Sequence, residues 1–118
     1  MSTPALVAVA VVALLHVYFL LLEMVLWERP AGRRAFGLSR EQAATTKVMA
    51  ANQGLYNGFL AAGLAWGLWN GAGGQEIVVF FLGCVLVAGL FGAATFSRKI
   101  LVVQALPAAV ALALVLLG

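Results

Sequence analysis

The stretch that decides the fold runs from Ile77 to Leu117. It reads IVVFFLGCVLVAGLFGAATF over 77–96, SRK over 97–99 and ILVVQALPAAVALALVLL over 100–117. A helix needs about 20 mostly apolar residues to cross about 30 Å of hydrocarbon. Each apolar run is the length of one such crossing, and a three-residue break between them favours antiparallel neighbours. Working outward, Pro4 to Trp27 and Lys47 to Trp69 have the same character. The first break, Glu28 to Leu38, holds Arg29, Pro30, Gly32, Arg33, Arg34 and Gly37, and the second, Asn70 to Glu76, holds Gly71, Gly73 and Gly74. The sequence therefore predicts an all-α protein, a four-transmembrane-helix antiparallel bundle. It predicts a single integral membrane domain over 1–118, with helices at about 4–27, 40–69, 77–96 and 100–117.

Composition supports this. Of 118 residues, 64% are hydrophobic and 9% charged, where a soluble domain carries about 25% charged residues. A disordered chain, a nucleic-acid binder and an ordinary cytosolic enzyme are excluded. The single cysteine, Cys84, excludes a disulfide within the chain and a CxxC redox pair, and is expected as inert core. The first apolar run is expected to remain in the protein as a span. Met1 to Ala5 lacks a basic residue, the run outlasts a signal core, and no small-x-small site precedes Glu23.

Orientation follows from the basic residues. Arg29, Arg33, Arg34, Arg40 and Lys47 lie at the first break, and Arg98 and Lys99 at the third. Antiparallel spans put all seven on one face, read as cytoplasmic, with both termini outside. Trp27, Trp66 and Trp69 fall near span ends, where interfacial anchors belong. Ser39-Arg-Glu-Gln42 fits a capping box, so the second span starts near Arg40, about 45 Å before its end at Trp69. Its first turns stand in the headgroup zone, where Arg33, Arg34 and Arg40 are placed to meet anionic lipid headgroups.

Polar residues inside apolar spans are expensive and call for a reason. They are His16 and Glu23 in the first span, Asn52, Gln53, Tyr56 and Asn57 in the second, and Gln104 in the fourth. Counting 1.5 Å per residue from Trp27, Lys47 and Lys99 places Glu23, Asn52 and Gln104 about 6–8 Å inside the cytoplasmic end. The same count places His16 and Asn57 about 15 Å in, as a second layer. His16 and Glu23, seven residues apart, share one stripe with Trp27 nearby. Glu23 and His16 are thus the candidate acid–base pair. Asn52, Gln53, Tyr56, Asn57, Gln104 and Trp27 are the candidate ligand-binding residues. The bland reading is that these groups only hydrogen-bond one another between helices.

Gly54-x-x-x-Gly58 and Gly63-x-x-x-Gly67 point to opposite faces of the second span, so neighbours are expected on both. Pro107 is expected to bend the last span and free a carbonyl about one turn earlier, near Val103. No HExxH, CxxC or paired acidic motif occurs, so no metal and no cofactor are expected.

The string from His16 to Trp27, HVYFLLLEMVLW, resembles the opening of a bacterial membrane family. So do Ala51 to Ala61, ANQGLYNGFLA, and Phe81-Leu-Gly-Cys-Val, together with Gly92 to Thr95, Lys99 and Gln104-Ala-Leu-Pro107. The family is domain of unknown function thirteen-hundred-and-four. The resemblance spans nearly the whole chain. It implies a four-helix protein of the bacterial inner membrane and no particular activity.

Three functions remain open on the residues. The first is an intramembrane polar pocket near the cytoplasmic side that binds or converts a lipophilic small molecule. The second is a small proton-coupled exporter, a reading that carries a homo-oligomer with it. The third is a structural or partner-binding subunit that uses the small-residue faces. Topology is directly testable. With a membrane-impermeant maleimide on intact cells, Ser2→Cys should label and Ser39→Cys should not. Labelling of Ser39→Cys alone would reverse the orientation.

Overall fold

Proline at the second position of a helix loses no hydrogen bond, because the first N–H groups have no partner there. Thr3-Pro4 accordingly opens helix α1 (Thr3–Met24), with the Ala5 N–H donating to Ser2 Oγ at 3.3 Å. The computed structural model describes residues 1–118 and holds helices and turns only. After α1 come α2 (Pro30–Phe36), α3 (Arg40–Trp69), a 3-10 turn (Gly71–Gly74), α4 (Gln75–Thr95), a π-helical turn (Leu101–Ala105) and α5 (Leu106–Leu117). Two segments, Thr3–Met24 and Gly71–Thr95, are long and apolar enough to cross a membrane, and Leu101–Leu117 is a shorter apolar helix. The chain divides into two compact units, one of Met1–Leu14 with Leu60–Gly118, the other of Leu15–Phe59.

In the Leu15–Phe59 unit, α1 ends where the Val25 and Leu26 N–H groups both donate to the Leu21 carbonyl, at 3.0 and 2.9 Å. Pro30 then holds Arg29 extended, at φ −80° and ψ 161°, and α2 starts on the proline. Gly32 packs on the backbone carbonyl of Leu26, a contact that excludes any side chain. Gly37 closes α2 in the left-handed conformation, at φ 65°. The capping box follows as expected. Gln42 N–H donates to Ser39 Oγ at 3.1 Å, and Ser39 N–H donates to Gln42 Oε1 at 2.9 Å.

In the other unit, four helical segments supply one core. Ala5, Val9 and Val12 come from α1, Leu64 from α3, Val78, Leu82 and Val85 from α4, and Ala108, Ala111 and Val115 from α5. The sets from α1, α4 and α5 repeat every three or four residues, which places each on one helix face. Gly63 packs on the Phe81 ring, and Gly67 on Val78 and the Gly74 carbonyl. Gly54 and Gly58 pack on α1 within the Leu15–Phe59 unit. The two glycine pairs of α3 therefore meet different helices, as their opposite faces require.

The helix bounds differ from the sequence expectation in three places. Helix α1 stops at Met24 instead of Trp27, because the break forms a folded segment with its own helix α2. Helix α4 starts two residues early, at Gln75, directly from the 3-10 turn. The last helix does not start as a plain α-helix. Five residues before Pro107 wind as a π-turn, with the Leu106 N–H bonded to the Leu101 carbonyl. A proline lacks the N–H that would continue the ladder, and a wider turn next to it takes up the mismatch.

Gly89 and Gly83 of α4 separate packing from propensity. A Cβ on Gly89 would sit 2.7 Å from the Ala105 backbone nitrogen and 2.9 Å from its Cα, while one on Gly83 would meet nothing within 4 Å. Gly83→Ala should raise stability by up to about 1 kcal/mol through helix propensity. Gly89→Ala should lower it by about 1–3 kcal/mol, because backbone cannot yield as a side chain can. Melting curves in one detergent check both. A Gly89→Ala protein as stable as Gly83→Ala would refute the close approach.

Candidate functional site

Glu23 lies in the last turn of α1 and is half-buried. Its carboxylate Oε1 accepts a hydrogen bond from Asn57 Nδ2 of α3. Glycines make this pairing reachable. A Cβ on Gly54 would lie 2.6 Å from Met24 Cγ and 3.1 Å from Glu23 Cβ, and one on Gly58 would lie 2.8 Å from Leu20 Cδ1. With hydrogen at both positions, the α3 backbone settles against α1 and the amide meets the carboxyl.

Beside this pair is a cleft of about 400 Å³ lined by Glu23, Trp27, Glu28, Arg29 and Lys47, with Met24, Val25, Val48 and Ala51 as its apolar wall. Trp27 is fixed by its polar and its flat side at once. Its indole N–H donates to Thr46 Oγ1 at 3.1 Å, and its ring centroid lies 4.8 Å from that of Phe36. Thr46 Oγ1 in turn donates to the Gln42 carbonyl at 2.7 Å. Glu28 and Lys47 stand 3.8 Å apart with both side chains more than half exposed, so the pair adds little stability and stays free to rearrange. A second, shallower opening of about 380 Å³ lies among Pro30, Arg33, Arg34, Gly37 and Leu38.

Among the residues picked out from sequence, the structure brings Glu23 and Asn57 into contact and puts Trp27 in the cleft wall. His16 is fully buried, its ring edge-on to Phe19 at 5.2 Å, and does not line the cleft. Asn52, Gln53 and Tyr56 lie on the exposed face of α3. Gln104 sits half-buried in the π-turn of the other unit. The pairing of Glu23 with Asn57 corrects the layers counted from sequence, which put Glu23 level with Asn52. Side chains on a helix lean toward its N-terminus, so the Glu23 carboxyl reaches back along α1, away from Trp27. The α1 helix also ends before Trp27, so a count from Trp27 at helical rise does not apply. Glu28, Arg29 and Lys47 line the cleft without having stood out in the sequence. Their signal was position beside Trp27 and at the start of the apolar part of α3, read there only as loop charge.

The arrangement offers one carboxyl held by a neutral amide, two cations at the rim and an apolar wall between them. Residues 10–116 match the model of a family described as protein of unknown function (DUF1304). The chain belongs to the DUF1304 family. The uncharacterized protein YpaA of Lactococcus lactis subsp. lactis (strain IL1403) is 30% identical over 95 residues, which cover 79% of this chain and 80% of that one. No solved structure matches the chain. Within this DUF1304 chain, the matched span holds both partners of the carboxyl–amide pair and every residue of the cleft.

Proposed function

We propose that this DUF1304 protein is a four-span antiparallel protein of the bacterial inner membrane that binds a lipophilic small molecule in the cleft beside Glu23. Exposure of apolar surface supports the membrane reading. Only 28% of the apolar window of α1 and 22% of that of Gly71–Thr95 is buried within the chain. Leu14, Phe80, Val87 and Phe91 are each at least 65% exposed, a surface that water would not tolerate in one piece. The seven-to-zero basic asymmetry supports a topology with the Arg29–Arg40 segment in the cytoplasm and both termini outside. Arg33, Arg34 and Arg40 then lie at the level of anionic headgroups.

The observation that carries the ligand reading is the Glu23 carboxyl, held by Asn57, at the wall of the 400 Å³ cleft. Arg29 and Lys47 suit the polar head of an amphiphile, and Met24, Val25 and Val48 suit its chain. Glu23 supplies the group that accepts a hydrogen bond from the ligand or exchanges a proton with it. His16 does not line the cleft, so this reading gives it no step. A proton-coupled exporter would use the same carboxyl.

A diazirine-bearing fatty acid, photolysed with the protein in nanodiscs, tests the site. Peptide mapping should place the label within Met24–Trp27 and at Val48. Glu23→Gln should fold and remove any turnover or transport, because the amide keeps the shape but not the exchangeable proton. Glu23→Leu should cut labelling about tenfold, or about 1.4 kcal/mol. Undiminished labelling in Glu23→Leu would sink the site and leave the structural-subunit reading. Probe release from liposomes driven by a pH gradient would select the exporter.

A further inference from the structure

The exposed face of α3 holds polar groups that the cleft does not use. Asn52 and Gln53 are exposed, and neither side chain hydrogen-bonds to any other residue of the chain. Tyr56 is 51% exposed, with its ring tilted against that of Phe59, itself 55% exposed. On the reading that α3 crosses the membrane, Asn52 lies about 7–8 Å inside the hydrocarbon by helix rise from Lys47. A carboxamide there without a partner costs about 4–8 kcal/mol relative to water. This face therefore needs a cover that can hydrogen-bond.

Spacing indicates its shape. Thr45, Met49, Asn52, Tyr56 and Phe59 are all exposed and follow one another at intervals of four, three, four and three residues. This is the a and d seam of a heptad, and it lies flat along one side of the helix. Met49 is 72% exposed and Val48, flanking the seam, 76%. No charged residue occurs from Val48 to Trp69, so a like helix meets no repulsion there.

Charge also selects the occupant. On the proposed topology every basic residue lies on one side, so all copies insert in the same orientation. Two copies related by a closed two-fold then share an axis along the membrane normal, their α3 helices run parallel, and each seam residue meets its own counterpart. Few side chains suit such a meeting. A lysine or glutamate would repel itself, whereas a carboxamide both donates and accepts and pairs with its own kind. We infer that a second copy of this chain docks along the Met49–Asn52–Tyr56–Phe59 seam of α3, with the Asn52 amides hydrogen-bonded across the two-fold and Gln53 beside them. The inference rests on the membrane reading of α3, and it adds a subunit interface on that helix.

Disulfide trapping in native membranes and single-molecule photobleaching in dilute liposomes test it together. In a Cys84→Ser background, Asn52→Cys should form a covalent dimer under mild copper–phenanthroline oxidation. Val87→Cys, on an exposed face of α4, should not. The unmodified chain should bleach in two steps. Asn52→Leu with Gln53→Leu should bleach mostly in one step, with at least a tenfold shift toward monomer and an unchanged helix content by circular dichroism, since neither residue has a partner in the chain to lose. One-step bleaching of the unmodified chain overturns the inference, as does a dimer that survives both leucines or cross-links through Val87→Cys instead. Alkaline carbonate extraction separates the two levels. A chain released by carbonate refutes the membrane reading and this interface with it. A chain that is retained but monomeric refutes the interface alone.

Discussion

A carboxyl group on an apolar helix must find a donor, and the Leu15–Phe59 unit is organised around meeting that requirement for Glu23. The donor is the Asn57 amide. Reaching it takes two helices whose backbones approach closely, which Gly54 and Gly58 allow. The turn after Met24 brings Trp27 to Thr46 and Phe36, and so leaves the cleft open beside the carboxyl. A leucine at residue 23 would pack more cheaply. Keeping a carboxyl there, with the neighbouring surface left accessible, fits a group that meets something other than the protein itself.

The other unit solves a different problem. Its core uses alanine and valine more than large side chains, and Gly63, Gly67 and Gly89 lie against a ring, a side chain and a backbone respectively. On the proposed membrane reading, helices in lipid gain little from excluding water, so their association relies on close packing and on the few hydrogen bonds available. Small residues at short interhelical distance meet that condition. The π-turn at Leu101–Ala105 belongs to the same logic, because Gly89 touches the backbone of Ala105 within it.

Much of this was legible in the sequence, for local reasons. The Ser39–Gln42 box is four residues long and carries its own geometry, so the start of α3 was readable. The two glycine pairs of α3 are separated by half a turn net, so contacts on two faces were readable as well. The chemistry-bearing residues announce themselves by being polar in apolar runs. What was not legible depends on the path of the backbone between helices. The bifurcated end of α1 at Leu21 and the fold of α2 onto Leu26 leave no periodic signature. Without them the level of Glu23 relative to α3 is miscounted, and Asn52 is placed at its level in place of Asn57. The exposure of Asn52, Gln53 and Tyr56 was likewise hidden, because helical spacing shows which residues share a face but not what that face meets.

The central claim is that Glu23 and Asn57 act as one unit. A double-mutant cycle on thermal stability in nanodiscs measures this directly, using Glu23→Leu, Asn57→Leu and the pair together. Each single change should cost about 1–3 kcal/mol by leaving the other polar group unpaired. The double variant should be less destabilised than the two singles combined, with a coupling of about 1 kcal/mol or more. Effects that simply add, to within about 0.5 kcal/mol, would contradict the account.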